Sequence, residues 1–455
     1  MPARESTSAV LIGLVVSAVA IAFADSSIVV LALPELYTRF HTTIERVSWV
    51  VTGYNAAVAV AALVLVVFVH RLRAAFVLAI GLLTFTGASI ACAAADSLWF
   101  LVGARCLQGV GAALLLAGSL PVLVALTGSV ARGATLWTLA GTFGAALGPA
   151  LGGVVTQAFG WRAIFALQAP LAAVGLAGAL AVRTAPVLEE GWRPSLRRSL
   201  PANTCLGLLF GALVGVLFLS VLLLITVWGY SPIAGAALVS VLPAGTLAAR
   251  PLERRLTGIV AVCGGAGLLT LGLLGLTLLP SASVGFAVTS LVFCGIGLGL
   301  SVPVLSNAAL DLGSGLSRSG TLTIGIRHLG LVLALASIAP LLAAELPPTG
   351  HRAELRATAV LLDAPVGMSS KIPIALDARK EFDRAKAGEI PDLARPFDAH
   401  GAGTDPALAA VRDDLIAAIK DTITAAFRSS FLLCTALAAA ALVVALLTRR
   451  RGVVA

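Results

Sequence analysis

The stretch Gly141-Thr-Phe-Gly144-Ala-Ala-Leu-Gly148-Pro149-Ala-Leu-Gly152-Gly153 lies inside an otherwise apolar segment. At 100° per residue, four of its glycines fall on one face of a helix. Glycine weakens a helix unless a second backbone passes close by, so this face predicts a bare flank for a neighbouring membrane helix. Pro149 also frees the carbonyl of Ala145 from the helix hydrogen bonds. We interpret this glycine stripe, residues 141–153, as a hinge-like packing surface; an ordinary tight contact between membrane helices is the alternative.

The composition of the whole chain indicates a membrane protein. Hydrophobic residues make up 59% of the 455 residues, charged residues make up 12%, and the mean hydropathy is +1.01. Soluble proteins of this size do not have such a composition. The sequence therefore predicts an all-α integral membrane protein with about 12 transmembrane helices. The predicted spans are 9–33, 47–69, 75–94, 99–126, 134–156, 162–182, 205–228, 232–250, 258–280, 283–308, 320–344 and 428–448.

The placement of arginine predicts the orientation in the membrane. Basic residues in short loops mark the cytoplasmic side. Fifteen arginines fall on the side of the N-terminus, and only Arg39, Arg46 and Arg162 fall in short loops on the other side. We expect both termini in the cytoplasm and the chain in an inner or plasma membrane. We therefore attribute the net charge of +9 to the basic residues that set the orientation in the membrane, and no nucleic-acid partner is predicted.

The hydrophobic pattern divides the chain into two halves and an insert. We expect a six-helix half over 1–182, a cytoplasmic linker over 183–204, helices seven to eleven over 205–344, and an extracytoplasmic insert over 345–427. The last helix and a cytoplasmic tail follow over 428–455. Two short motifs repeat between the halves, which supports an internal repeat around a central site. Ser119-Leu-Pro121-Val-Leu123 returns as Ser301-Val-Pro303-Val-Leu305, and Arg132-Gly-Ala-Thr-Leu136 returns as Arg318-Ser-Gly-Thr-Leu322.

The predicted insert differs sharply in composition from the rest of the chain. It holds thirteen of the 22 acidic residues and ten of the 31 basic ones. Asp405-Pro406 is typical of a helix start, and apolar residues follow at helical spacing from Leu408 to Ile423. This helix is expected to continue into the last span, and a shorter one is expected over 374–387. The insert is either a solvated loop without activity, a cover for an exterior gate, or a docking surface for an envelope partner.

Asp25 and Arg105 are the candidate proton-coupling residues. Asp25 is the one carboxylate well inside a predicted span of the first half, and an unpaired charge there costs about 2.5–3.5 kcal/mol. Counted from the exterior ends of their helices, Asp25 and Arg105 lie at similar depth, so they can pair directly or through water. Pairing favours the ionised carboxylate and desolvation favours the neutral acid, a balance that proton exchange requires. A purely structural ion pair is the alternative.

Several motifs together resemble the drug:proton antiporters of the major facilitator superfamily, in particular their fourteen-helix group. The glycine stripe is similar to the antiporter motif of that family. The other matches are Asp25-Ser-Ser-Ile-Val-Val-Leu-Ala-Leu-Pro34, Trp49-Val-Val-Thr52-Gly-Tyr54, Arg105-Cys-Leu-Gln108-Gly109-Val-Gly111-Ala112, Trp161-Arg-Ala-Ile-Phe165-Ala-Leu-Gln168-Ala-Pro170, Trp228-Gly-Tyr230-Ser-Pro232-Ile-Ala-Gly235 and Arg327-His-Leu-Gly330. The resemblance implies the major facilitator fold and carries the family's proton-transfer role over to Arg105.

Two departures from the family pattern stand out. The loop between the second and third helices has Val66, His70 and Arg73 where the family has a glycine, an aspartate and a second glycine. The conformational latch that this loop forms in the family is therefore either absent or built from other residues. His70 is a titratable group in this loop, and Glu253, in the matching loop of the second half, is a candidate for the acid. The two extra central helices of the fourteen-helix group are also missing.

Further candidate residues line the expected cavity between the halves. Aromatic or amide side chains on inward faces are the substrate-binding candidates: Tyr54, Asn55, Gln108, Trp137, Phe143 and Asn307. Arg327 is expected near the cytoplasmic end of its helix, in a structural role. The six cysteines show no metal-like spacing, so no metal or cofactor is predicted.

The sequence thus predicts a proton-coupled exporter of small amphipathic or hydrophobic compounds, with small molecules, protons and the bilayer as its partners. One alternative changes the cargo to an envelope lipid or a secreted metabolite. Another is a non-transporting membrane receptor or scaffold, suggested by the altered loop. An enzyme is not predicted, because no nucleophile with a base is visible.

Overall fold

The computed structural model describes residues 2–182, 196–310, 315–384, 393–400, 402 and 405–449, and these form helices joined by short loops. Most of the predicted linker and the C-terminal tail lie outside the described residues. The helices are α1 (Pro2–Val30), α2 (Leu33–Arg39), α3 (Ile44–Phe68), α4 (Ala74–Ala93), α5 (Leu98–Thr127), α6 (Val130–Phe159), α7 (Trp161–Ala173), α8 (Leu176–Ala181), α9 (Leu196–Val221), α10 (Pro232–Val239), α11 (Val241–Ala248), α12 (Arg250–Glu253), α13 (Gly258–Thr277), α14 (Val284–Leu310), α15 (Leu316–Asp363), α16 (Met368–Arg384), α17 (Ala394–Ala399), α18 (Pro406–Thr424) and α19 (Arg428–Arg449).

The prediction of an all-α membrane protein is confirmed. Within the described ranges, 11 helical segments are long and apolar enough to cross a membrane, and the count reaches 12 if the bent helix α6 is included. We call residues 2–182 the first half and residues 196–449 the second half. The end of the bundle that carries residues 345–427 is the insert face, and the opposite end is the linker face.

Side-chain caps set where several helices begin. Thr43, Ser97, Ser129 and Ser231 each accept a hydrogen bond from a backbone N–H in the first turn of α3, α5, α6 and α10, respectively. Each cap satisfies one of the backbone donors that a helix start leaves free. The helix boundaries therefore follow from local sequence as well as from the apolar runs.

Helix α15 is much longer than its predicted span of 320–344. It has 48 residues, about 72 Å at 1.5 Å per residue, against about 30 Å of membrane hydrocarbon. It continues through Pro347 and Pro348 into the segment predicted to be a separate insert, so the helix extends well beyond the predicted membrane span. Packing explains this, because Leu346, Ala353 and Leu361 are buried along a face that contacts α18.

The other insert helices agree with the sequence in part. The N-cap Asp405 accepts a hydrogen bond from Ala407 N, and the apolar stripe from Leu408 to Ile423 is buried, as its spacing indicates. Helix α16 begins at Met368 rather than at 374, and it is described to Arg384. The prediction started this helix after Pro373, but proline keeps a helical φ, and the helix continues through it with the loss of one backbone hydrogen bond. Lys371 Nζ donates a hydrogen bond to the carbonyl of Leu362, which ties α16 to the end of α15.

Candidate functional site: an ion-pair ring beside a central cavity

Asp25 and Arg105 form a direct ion pair in the first half. Arg105 Nη2 lies 2.7 Å from Asp25 Oδ2, and both side chains are 0% exposed. Arg105 Nη1 also donates a hydrogen bond of 2.9 Å to Asp25 Oδ1. The pair therefore joins α1 to α5 without an intervening water molecule.

Two glutamines close this pair into a ring. Gln168 Nε2 on α7 donates to Asp25 Oδ1 at 2.8 Å. Gln108 Nε2 donates to Gln168 Oε1 at 2.8 Å, and Gln108 Oε1 accepts from Arg105 Nη1 at 2.5 Å. We call these four side chains, Asp25, Arg105, Gln108 and Gln168, the ion-pair ring. It links α1, α5 and α7.

Further contacts fix the guanidinium of Arg105. Its Nε donates to the carbonyl of Val50 at 3.0 Å. Its carbon Cζ lies 4.2 Å from the centre of the Tyr54 ring and 5.6 Å from that of Phe165. Tyr54 in turn donates its hydroxyl to the carbonyl of Ala22 at 3.1 Å. Charge-assisted hydrogen bonds and cation–π contacts thus hold this arginine on several sides.

Gln168 belongs to the motif that begins at Trp161, but it is not among the predicted site residues. Ser89, whose hydroxyl accepts from Gln108 Nε2 at 2.8 Å, was missed as well. For Gln168 the signal was available, because the chain has only three glutamines and a glutamine inside an apolar span needs polar partners. Serine carries no such signal, since its hydroxyl can bond to the carbonyl four residues earlier, as Ser89 does with Phe85.

A central cavity lies between the two halves. Its lining comes from α1, α6, α9, α11, α14 and α15, and it includes Phe23, Ser26, Trp137, Pro149 and Thr246. Ser26 connects the cavity to the inner layer of the first half, because its hydroxyl donates to Asn55 Oδ1 at 3.0 Å. Since Asp25 and Ser26 are consecutive on α1, one helix carries both the ion-pair ring and a wall of the cavity.

The predicted substrate-binding residues are distributed over different surroundings. Trp137 lines the cavity, and its Nε1 donates to Ser119 Oγ at 3.1 Å. Tyr54, Asn55 and Gln108 are fully buried behind the cavity wall. Phe143 is 41% exposed and lies under the guanidinium of Arg250, and Asn307 is exposed. Neither Phe143 nor Asn307 is among the lining residues, because their helices turn these positions away from the cavity.

The glycine stripe of α6 packs against α1, the helix that carries Asp25. A Cβ atom at Gly144 would collide with the carbonyl of Ala20, and one at Gly152 with the carbonyl of Ile28. At Gly141 the obstacle would be the ring of Phe23, and at Gly148 the side chain of Ser27. The stripe therefore permits a backbone contact that no other residue type allows.

The last glycine and the proline of the stripe have other neighbours. Gly153 faces Pro232 and Ala236 of α10, so it belongs to the contact between the halves. Helix α6 bends by 43° between Ala145 and Leu147, where Pro149 removes a helix hydrogen bond. The carbonyl of Ala145 accepts a long hydrogen bond of 3.5 Å from the Ser27 hydroxyl.

Arg327 lies in the cavity wall, contrary to the expected position near a helix end. Helix α15 begins at Leu316, four residues before the predicted span. Arg327 is therefore eleven residues into the helix, about 16 Å along its axis. Its Cζ lies 4.7 Å from the centre of the Phe23 ring and 3.6 Å from that of Phe210.

The halves contact each other at both ends of the cavity. On the linker face, Arg318 Nη2 lies 2.5 to 2.6 Å from the ring nitrogens of His70, and Leu63 packs on Gly325. On the insert face, Ile233 N donates to Gln157 Oε1 at 2.9 Å. The loop that departs from the family pattern thus makes a contact between the halves through His70.

No group of three or more His, Cys, Asp or Glu side chains in the described parts of the chain could hold a metal ion. The six cysteines are free, and most are buried in the helices.

A protein-family model described as Major Facilitator Superfamily matches residues 15–346. The chain belongs to this superfamily. Several relatives are named as resistance or efflux proteins. The methylenomycin A resistance protein of Streptomyces coelicolor is 33% identical over 178 residues, covering 38% of this chain and 37% of that protein. The multidrug resistance protein Stp of Mycobacterium tuberculosis is 27% identical over 396 residues, covering 69% of this chain and 73% of that protein.

The drug efflux pump JefA of Mycobacterium tuberculosis is 35% identical over 157 residues, covering 33% of this chain and 30% of that protein. The match thus spans about a third of the length of JefA and of the methylenomycin resistance protein. Together with the superfamily match, these relatives identify the protein as a membrane transporter related to multidrug and antibiotic efflux pumps, and not as an enzyme.

Solved structures show the same fold at low sequence identity. A bacterial homologue of the human lysosomal transporter Spinster, in an inward-facing and occupied conformation, has a TM-score of 0.66 and 14% identity, over 97% of both chains. A D-xylose–proton symporter has a TM-score of 0.60 and 15% identity, over 73% of this chain and 90% of that one. The major facilitator fold expected from the sequence is confirmed.

Proposed function

We propose that this transporter is a proton-coupled exporter of small amphipathic or hydrophobic compounds, working by alternating access. The observation that carries the proposal is a fully buried carboxylate, Asp25, paired with Arg105 one helix layer from the central cavity. Ionisable residues inside a membrane are rare and mark ion or proton pathways. The names of the relatives, a multidrug resistance protein and a drug efflux pump, support the cargo class.

In this mechanism Asp25 binds and releases the proton. It lies five residues before the end of α1 at Val30, so it is closer to the insert face and exchanges protons with that side. Protonation removes the charge that Arg105 and Gln168 contact, which weakens the ion-pair ring between α1, α5 and α7. Deprotonation restores the ring.

The glycine stripe turns the change in the ring into movement. Once the ring weakens, α1 shifts along α6, because glycines leave a smooth backbone contact without interlocking side chains. Phe23 and Ser26 move with α1, so the cavity wall changes when Asp25 changes its charge. Substrate binding in the cavity and protonation of Asp25 are then coupled through α1.

The cavity has to open for a drug-sized compound to enter. Its open space is about 110 Å³, whereas pockets for such ligands measure about 300–1,000 Å³. Opening on the linker face breaks the contact of Arg318 with His70, and opening on the insert face breaks that of Gln157 with Ile233. When the halves rock about the cavity, these two contacts break alternately.

We infer from the arginine distribution that both termini lie in the cytoplasm of a cell whose inner or plasma membrane holds the protein. The insert, residues 345–427, then faces the exterior. Its helices α16 and α18 form a folded surface there, which is available to an envelope partner.

Transport in inside-out membrane vesicles tests this proposal. The vesicles carry either the wild type or the Asp25→Asn variant, and uptake of a panel of fluorescent dyes is followed with and without an uncoupler. We expect uncoupler-sensitive uptake for the wild type and none for Asp25→Asn, because the amide keeps the shape of the side chain but exchanges no proton.

The matched control is Asp96→Asn, which neutralises the carboxylate of an exposed ion pair with Arg162. This variant should transport like the wild type. Uncoupler-sensitive uptake by Asp25→Asn at matched expression would mean that Asp25 is not the coupling residue.

A further inference from the structure

Arg327 is a cation in the cavity wall without an acidic partner. Among the described residues no carboxylate pairs with it, and no hydrogen bond from it to the protein is found there. The one acidic side chain of the neighbouring layer, Asp25, is held by Arg105 and Gln168. A lone charge at this depth is costly, so its presence calls for a counter-charge that is not part of the described protein.

The surroundings of Arg327 leave its donors free for such a group. Phe23 and Phe210 contact the guanidinium through their rings, a contact that uses the face of the cation. The N–H groups at its edges keep the fork geometry that matches a carboxylate. The aromatic rings also supply apolar surface next to the charge.

The rest of the cavity lining fits an amphipathic anion. Among the described lining residues none is acidic, and Arg327 is the one that carries a charge. Leu217, Leu298 and Leu331 contribute apolar surface. The hydroxyls of Ser26 and Thr142 add neutral polar groups. If the carboxylate of such a compound binds Arg327, the apolar part of the compound therefore lies against leucine and aromatic side chains.

We propose that the central cavity selects amphipathic compounds that carry a carboxylate or similar anionic group, with Arg327 as the residue that recognises it. The inference rests on the proposed function in one respect, that the cavity is the substrate site. The inference goes beyond the proposed function by assigning the cargo a negative charge. It also assigns the two arginines inside the bundle separate tasks, Arg105 in proton coupling and Arg327 in substrate recognition.

Equilibrium binding tests this inference without a proton gradient. The purified full chain in lipid nanodiscs is dialysed against three compounds with one ring system: 1-naphthylacetate, its neutral amide 1-naphthylacetamide, and the cation 1-naphthylmethylammonium. Empty nanodiscs correct for partition into lipid. We expect the wild type to bind the acid more tightly than the amide, and the amine least.

The variant Arg327→Gln should lose affinity for the acid by about 10- to 100-fold, the usual loss for a charge-assisted contact, while the affinity for the amide stays unchanged. Arg327→Lys should keep part of the preference for the acid, because it keeps the charge without the fork. Arg250→Gln, a matched change at a guanidinium outside the cavity lining, should leave all three affinities as in the wild type.

Three results would overturn the inference: a wild type that does not prefer the acid, an unchanged preference in Arg327→Gln, or an equal loss of acid and amide binding, which indicates a structural role. These results are independent of coupling. A failure of Asp25→Asn to stop transport would remove the proton mechanism and leave the binding result in place.

Discussion

Arg105 and Arg327 lie inside the helical bundle in opposite halves of the molecule, and their surroundings differ. Arg105 is 0% exposed and has a carboxylate at 2.7 Å, a glutamine and a backbone carbonyl as acceptors. Arg327 faces a cavity and contacts two aromatic rings. A buried charge with all its partners in the protein holds helices together, and one without a partner is available to a ligand. The difference separates a coupling site from a recognition site.

The largest effect should come from breaking the ion-pair ring. Arg105→Gln leaves Asp25 buried without its partner, so we expect a loss of about 3–5 kcal/mol in the free energy of unfolding. Arg327→Gln leaves no buried charge behind and should cost far less. Denaturant unfolding of both purified variants, followed by tryptophan fluorescence, measures the difference.

A double variant supplies the control for that comparison. Asp25→Asn combined with Arg105→Gln leaves no unpaired charge, so it should be more stable than Arg105→Gln alone. Equal losses for Arg105→Gln and Arg327→Gln would show that the two arginines do not differ in the way described.

The contact between α1 and α6 should be the next most sensitive feature. Gly144→Ala forces a methyl group into the backbone of Ala20, and we expect a loss of about 1–3 kcal/mol together with slower transport. Gly267→Ala is the matched control, because a Cβ at Gly267 on α13 has no atom within 4 Å. If Gly144→Ala were as stable and active as Gly267→Ala, the close contact would have no role.

A smaller effect is expected at Gln168. Gln168→Met keeps the volume and removes the donor to Asp25, which should cost about 1–2 kcal/mol. Gln157→Met removes one hydrogen bond at an exposed position and should cost less. Transport rates and unfolding free energies of the two variants are compared, and a larger loss for Gln157→Met would argue against the ring as described.

The smallest effect should come from an exposed ion pair, which sets the lower limit of the comparison. In the insert, hydrogen bonds from Lys380 and then His400 hold the pKa of Asp377 below its ordinary value of 3.8. A lowered pKa stabilises the folded state above the unfolded pKa, and this contribution is lost as the pH falls through the folded pKa. The difference in melting temperature between wild type and Asp377→Asn should therefore be small near neutral pH and shrink below about pH 4. A difference that stays undiminished below about pH 4 would contradict this assignment.

Much of the fold could be predicted because apolar runs of about 20 residues have few possible structures in a membrane. The errors occur where tertiary packing decides. Pro347 and Pro348 suggest an interrupted chain, yet α15 continues past them because its far end packs on α18. The span predicted over 232–250 is confirmed as Pro232–Glu253, but it is divided among α10, α11 and α12, and the apolar pattern around Pro243 does not fix where these helices divide.

The site was predictable as far as depth along a helix determines it. Equal depth of Asp25 and Arg105 indicated a pair, and the structure has one. Depth does not give the azimuth of a side chain, so Phe143 and Asn307 were expected in the cavity although their helices turn them away. The position of Arg327 was missed because a shift of four residues in the start of α15 moves it from the helix end into the cavity.

The account depends most directly on Asp25 exchanging a proton when substrate binds. The decisive measurement is the number of protons released on addition of a transported compound to purified protein in weakly buffered solution, for the wild type, Asp25→Asn and Arg327→Gln. We expect release by the wild type and none by Asp25→Asn. At saturating substrate, Arg327→Gln should release as many protons as the wild type. Undiminished proton release by Asp25→Asn would contradict the central claim.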